Sequence, residues 1–490
     1  MSSTLTLRRP LVLASVMAAT FMIAIEATIV STAMPQIAGE LGDLHLYSWA
    51  FSAFLLTQTA TTVMFGKLAD LYGRRPVLLG GIALFLVGSV LCGMAWSMPS
   101  LILFRLVQGA GAGAIQPICL TIVGDLYTVQ ERGKIQGWLA SVWGVSSVAG
   151  PLAGGLITQH LSWVWIFWIN LPIGVLATFG FIAFLHEKVG QRRHSLDLTG
   201  AGLFTLGITS LMVGLTLTGT GSGAATPVAF GLALIGAILF VLQERRAAEP
   251  MIDIRLWARR PIATANAATL FSGMAVIGLT TFLPMYVQGV LGQTALVAGF
   301  ALTMMVLGWP VGATVAARNF HRFGLRGTLI LGGALLPAGA TAFLLLRPGL
   351  SPAVAGGGSL VMGLGMGFLS TAAIVLIQSS VGWAERGAAT ASNIFSRNLG
   401  STLGAAVLGA VMNWGLREQD GGTLPLAMGE GAGGMDSILS DPALRAALDG
   451  ALHLTFWGVF TIAVLTLLAA LLVPRVAIGQ PAQEARPKPG

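Results

Sequence analysis

Charge is what this chain has least of. Only 9% of its 490 residues are Asp, Glu, Lys or Arg, and the acids number nineteen. A soluble domain carries about 25% charged residues, so a water-solvated globular fold is excluded and lipid is the solvent. Cysteine is scarcer still: Cys92 and Cys119 both fall inside apolar runs, where a free thiol acts as a small packing group. They make no disulfide framework and leave the redox compartment open. The chain also has no Gly-Lys-Ser/Thr loop to cradle phosphates, which argues against an ATP-driven pump. No cluster of metal ligands and no nucleophile–base constellation stands out, which argues against an enzyme. The Gly109-x-Gly111-x-Gly113 run lies in an apolar span and is no nucleotide loop.

What is present is apolar sequence broken at regular intervals. Crossing a bilayer takes roughly 20 helical residues, and the chain offers fourteen such runs, from 11–35 to 452–473. The expectation is therefore an all-α integral membrane protein. Arg8 and Arg9 before the first run suggest a signal peptide, but that run is long, holds Glu26 and precedes many others, so it reads as an uncleaved first helix. Of 27 basic residues, 23 gather in segments on one side of the bilayer if the N-terminus is cytoplasmic, Arg397 being counted among them. The net charge of +8 is thus topology rather than a nucleic-acid surface, and both termini are expected inside.

A repeat runs through the chain at an offset of 254 residues. Glu131-Arg132-Gly133 recurs as Glu385-Arg386-Gly387, Gly150 and Gly155 as Gly404 and Gly409, and Gly109, Gly111 and Gly113 as Gly363, Gly365 and Gly367. Both copies cross the membrane in the same direction, so the expectation is a parallel duplication of two six-helix bundles with the substrate site between them. The bundles are expected at 1–190 and 251–475, two additional helices and a linker at 191–250, and a cytoplasmic tail at 476–490. The segment from Asn413 to Gly450, rich in Gly and acids, reads as a solvated outer loop that includes Asp449.

Glu26 is the one acid that no loop, tail or helix end accommodates. A carboxylate in hydrocarbon is costly, and chains that retain one use it to carry a proton or bind an ion. The competing reading is a satisfied polar residue that fixes helix packing. Arg105 also lies within a span. At 1.5 Å per residue, Glu26 lies about 22 Å from the inner face and Arg105 about 9 Å from the outer one. In a core about 30 Å thick the two are nearly level. Arg105 is accordingly expected to tune Glu26, favouring the carboxylate when close and permitting protonation when separated. Alternatively, it bonds carbonyls or snorkels outward.

Gly66-Lys67-Leu68-Ala69-Asp70-Leu71-Tyr72-Gly73-Arg74-Arg75 joins the second and third spans, its glycines allowing a tight turn and Asp70 standing among cations as one half of a latch. The segment resembles the signature loop of the major facilitator superfamily, and Arg105-Leu106-Val107-Gln108-Gly109 resembles that superfamily's second motif. Gly150-Pro151-Leu152-Ala153-Gly154-Gly155, with Gly137 upstream and Ser146 where a glycine is usual, resembles its antiporter motif. Glu26-Ala27-Thr28-Ile29-Val30-Ser31-Thr32-Ala33-Met34-Pro35 resembles the first-helix signature of the fourteen-helix drug:proton antiporters, with Glu for the usual Asp.

The resemblance implies a major facilitator fold in a bacterial inner membrane, exporting small amphiphilic compounds against protons. It implies no cofactor beyond the proton gradient, and a complete transporter as a monomer. An uptake symporter, a dedicated metabolite exporter and a non-transporting receptor or scaffold are the alternatives. Glu26, Gln58, Gln116, Asn170, Asn266, Gln288, Gln378 and Asn393, with Trp143, Met304 and Trp309, are candidate pocket residues; each polar group among them also has a helix-packing reading.

Overall fold

A computed structural model describes residues 2–43, 46–127, 129–186, 197–217, 224–247, 254–381, 386–419 and 442–475. All regular structure among the described residues is helical. The first bundle comprises α1 (Ser2–Leu41), α2 (Tyr47–Tyr72), α3 (Arg74–Gly93), α4 (Met98–Leu126), α5 (Val129–His160) and the broken span α6 (Val164–Trp168) plus α7 (Asn170–Phe184). A hairpin follows, α8 (Leu198–Leu217) and α9 (Ala225–Arg246), then the short α10 (Ile254–Trp257). The second bundle comprises α11 (Arg260–Met285, ending in a π turn Tyr286–Val290), α12 (Ala295–Arg318), α13 (Phe320–Leu344), α14 (Ala353–Ser379), α15 (Arg386–Gln419) and α16 (Pro442–Leu471). With α6 and α7 counted as one span and the four-residue α10 set aside, the described helices match the fourteen apolar runs of the sequence. Eleven are long and apolar enough to cross a membrane on length and composition alone. Lipid helices have no hydrophobic drive toward one another, so packing and small residues must hold them. Large apolar side chains such as Leu103, Val145, Phe179, Leu234 and Ile238 point outward, as a lipid-facing surface requires.

Several sequence boundaries move. α1 continues through Pro35 to Leu41. The supposed outer loop from Asn413 to Gly450 is largely helix at both ends, because α15 runs to Gln419 and α16 begins at Pro442. Asp449 is therefore not a loop residue: it lies in α16, one turn before His453, with its carboxylate 3.0 Å from the imidazole. Residues 420–441 and the tail 476–490 fall outside the described residues. Gly66 is also not part of a turn. It sits within α2 with open space where a Cβ would be, and the turn to α3 belongs to Gly73 at φ 93°, a conformation that favours glycine.

Hydrogen bonds join the bundles at three places among the described residues. Tyr47 Oη donates to the Thr281 carbonyl at 2.9 Å, and Gln288 in the π turn donates to the Thr32 carbonyl at 3.1 Å. The Thr59 and Thr402 hydroxyls meet at 3.3 Å. The first two lie at the end of the molecule where α1 joins α2 and α11 joins α12. Close backbone approach does the rest: a Cβ on Gly299 of α12 would collide with the Pro151 ring of α5, and one on Gly150 with the Thr28 hydroxyl of α1. The same Thr28 hydroxyl donates to the Ser146 carbonyl at 3.1 Å, so α1 and α5 are joined within the first bundle at the antiporter-like segment.

Gly150→Val is expected to destabilise the fold by about 1–3 kcal/mol through overpacking against Thr28. Gly66→Ala is expected to leave stability unchanged or raise it by about 0.5–1 kcal/mol. Thermal unfolding of the purified variants, followed by tryptophan fluorescence, separates the two.

Candidate functional site

Between the bundles lies a cavity of about 500 Å³. Its wall is mostly apolar, with Phe51, Phe54, Trp143, Met305, Trp309 and Met366 supplying large surfaces. Polar groups reach it from both halves: Glu26, Gln58, Arg105 and Gln116 from the first, and Thr280, Thr303, Arg397, Asn398 and Ser401 from the second.

Glu26 and Arg105, level by depth arithmetic, are in contact. Arg105 Nη1 donates to Glu26 Oε1 at 2.5 Å, and the residues are only 1% and 3% exposed. A buried ion pair is tolerable only if its remaining donors and acceptors are also satisfied, and here the partners come from α4 itself and from three further segments, α2, α3 and α7. Asn170, at the start of α7, donates from Nδ2 to Glu26 Oε2 at 2.6 Å. Arg105 Nε donates to the Ala50 carbonyl of α2 at 3.0 Å, and Nη1 also reaches Gln108 Oε1 at 2.8 Å. Gln108 Nε2 in turn donates to Ser89 Oγ of α3 at 2.9 Å. The guanidinium carbon stands 4.3 Å from the centre of the Phe54 ring, a cation–π distance. Arg105 thus bonds a carbonyl as well as the carboxylate, and it does not snorkel outward.

The other candidates divide. Gln58, Gln116, Trp143 and Trp309 line the cavity beside Glu26, with Trp309 Nε1 donating to Ser370 at 3.2 Å. Asn266 does not. It is fully buried between α11 and α15, donating to Ser392 at 3.0 Å and accepting from Asn393 at 3.1 Å. Gln378 spends its amide on Thr390 at 3.1 Å. Met304 turns toward Gly356 of α14, and its neighbour Met305 takes the cavity position. Gln288 is occupied as an inter-bundle bond. At the start of α3, Arg75 donates to the Ile182 carbonyl at 2.8 Å, and Arg74 also has an interaction partner. The surroundings of Lys67, Asp70 and Gly137 lie outside the described residues. Gly154 and Gly155 would bring a Cβ no closer than 3.3 Å to Ile29 and 3.5 Å to Leu296, so Gly150 is the tight position of that motif.

Two residues escape a sequence reading. Gln108 was visible only as part of a motif, yet it is the link between Arg105 and Ser89. Arg397 was counted with the cytoplasmic cations, but it lies eleven residues into α15, about 16 Å along the helix, and lines the cavity. Its signal was available. At the offset of 254 it is the equivalent of Trp143, and both face the same space.

Two six-helix bundles around a central cavity, with an ion pair buried in its wall, define a membrane transport protein of the kind built from parallel repeats. The comparisons agree. Residues 16–405 match the family model of the Major Facilitator Superfamily, and the chain belongs to that family of transporters. Among its relatives are the multidrug transporter protein MdtP of Bacillus subtilis, 35% identical over 83% of this chain and 76% of the relative. Another is multidrug resistance protein 3 of the same species, 34% identical over 80% and 77%. The acurin A biosynthesis cluster MFS-type transporter of Aspergillus aculeatus is 31% identical over 81% and 73%. In fold, the chain is similar to a bacterial homologue of the human lysosomal transporter Spinster in an inward-facing, occupied conformation. The TM-score is 0.63 at 17% identity, covering 95% of this chain and 96% of that one. The human organic anion transporter MFSD10 gives 0.59 at 16% identity, covering 94% and 99%.

Removing one partner of a buried pair leaves an uncompensated charge. Glu26→Leu and Arg105→Met are each expected to cost about 3 kcal/mol or more. The double variant should recover most of that loss, a coupling that a thermal-unfolding double-mutant cycle reads directly.

Proposed function

We propose that the protein exports small amphiphilic organic compounds by alternating access, in exchange for protons carried by Glu26. The observation that carries the reading is that a carboxylate buried in the first bundle borders the central cavity while held by a single guanidinium. A guanidinium does not give up its proton, so Glu26 is the partner whose charge can change. Proton binding at Glu26 weakens its hold on Arg105 and loosens a network that ties α1 to α2, α4 and α7. With both termini cytoplasmic, the Tyr47–Thr281 and Gln288–Thr32 bonds close the outer end, and this arrangement is the inward-facing member of the cycle. Substrate enters from the inside, the bundles rock about the cavity, and a proton from outside takes Glu26 as substrate leaves. The proton gradient is the energy source, no cofactor is needed, and one chain forms the whole path in a bacterial inner membrane.

Apolar lining with adaptable methionines suits varied ligands, and two relatives bear multidrug names. Export of one dedicated metabolite is the second reading, favoured by the relative from a biosynthesis cluster. Both use the same coupling chemistry.

Purified protein in liposomes with an internal pH dye tests the coupling. Substrate-dependent proton movement is expected in the wild type and absent in Glu26→Gln. Equal movement in both would remove Glu26 from the coupling role.

A further inference from the structure

The charges on the cavity wall do not balance. Among the described residues, three ionisable side chains border it, Glu26, Arg105 and Arg397. Glu26 and Arg105 neutralise one another at 2.5 Å, and the remaining Arg105 donors go to Ala50 and Gln108. Arg397 is different. Half-buried in mid-helix, its guanidinium has no carboxylate or hydrogen-bond acceptor assigned to it among the described residues. Among the described residues, no acid of the second bundle lines the cavity, and Asp449, near the start of α16, is engaged with His453.

The position is also rigidly set. The carbonyl of Arg397 lies so close to Gly273 that a Cβ there would collide with it, and the α11–α15 seam is further bridged by the Asn266–Asn393 bond at 3.1 Å. On the same helix, Asn398 and Ser401 add neutral hydrogen-bonding groups to this part of the wall. Phe54, Trp143 and Trp309 add ring surfaces to the wall. A cation without a partner among the described residues, facing a largely apolar cavity, favours an anionic one, and the fork of a guanidinium matches a planar carboxylate.

We propose that the cavity selects amphiphiles with an acidic head group, seated on Arg397, with their apolar body against the aromatic and methionine wall. The inference rests on the export reading above and names its substrate class. Lipophilic cations are disfavoured, because the wall holds a net positive charge whether Glu26 is ionised or protonated. Export of a monoanion against one proton moves two charge equivalents inward, so membrane potential adds to the proton gradient as a driving force.

Three probes with one body and different heads test this: 1-pyrenebutyrate, its primary amide and 1-pyrenebutylamine. Binding to the full-length protein is read by energy transfer from tryptophan to pyrene. Wild type is expected to bind the acid most tightly and the amine least. Arg397→Gln should weaken the acid about 10- to 100-fold, the equivalent of one charge-assisted hydrogen bond, and leave the amide unchanged. Arg397→Lys, which keeps the charge, should retain most of the preference. Equal binding of acid and amide by wild type overturns the inference, as does a parallel loss of both in Arg397→Gln. The proton assay separates this from the antiport reading. Amide-driven proton movement lost in Glu26→Gln, without acid preference in the wild type, overturns the substrate class and keeps antiport. Acid preference without proton movement supports the substrate class and overturns antiport.

Discussion

A guanidinium enclosed by lipid-facing helices cannot discharge, so everything around Arg105 is arranged to satisfy it. Glu26 balances its charge, the Ala50 carbonyl and Gln108 take further donors, and the Phe54 ring covers one face. Each partner comes with obligations of its own. Glu26 needs Asn170 for its second oxygen, and Gln108 needs Ser89 for its amide. Five helical segments of the first bundle are thereby tied to one side chain. The second bundle solves its polar packing without charge, through Asn266, Asn393, Ser392 and Thr269 between α11 and α15. The halves share a topology, but the α11–α15 network holds no ionisable side chain, whereas the network of the first bundle is centred on Glu26 and Arg105.

That difference matters because the bundles are held together weakly. Helices in lipid adhere through close packing and scattered hydrogen bonds rather than through burial of apolar area. The inter-bundle contacts follow that pattern: a proline ring on a glycine at Pro151 and Gly299, and single bonds from Tyr47 and Gln288 to backbone carbonyls. The π turn that carries Gln288 is the kind of local departure from α geometry that recurs at functional positions. Contacts of this sort can be exchanged for others at modest cost, whereas the Arg105 network inside one bundle cannot.

The scarcity of charge is what made so much legible in the sequence. With so few ionisable groups, each one inside a span is informative, and depth along two helices sufficed to bring Glu26 and Arg105 to one level. The repeat placed the cavity between the halves. Neutral polar residues carried no such information. Asn266 and Gln378 were plausible pocket residues by type, but a helix face is decided by neighbours, and Ser392, Asn393 and Thr390 claim them. Met304 and Met305 show how small the margin is, since one residue turns a helix position by about 100° and only Met305 reaches the cavity. Arg397 was misplaced for a different reason. Counting Lys and Arg by side treats every cation as topology, and one that serves the cavity disappears into the tally.

Trp143 and Arg397 bring these strands together. The duplication puts them at equivalent positions, and both border the cavity, yet one offers a ring face and the other a fixed charge. Neither belongs to the Glu26–Arg105 network. The ion pair thus sits in the wall of one bundle, while the cavity's ring and cation surfaces are divided between the two. A substitution at Trp143 or Arg397 changes the cavity wall without touching the Glu26–Arg105 pair. A substitution at Asn170 or Gln108 does the reverse. Separation of this kind lets one coupling device serve cavities of different selectivity, which is the physical condition for a fold whose relatives carry different cargo names.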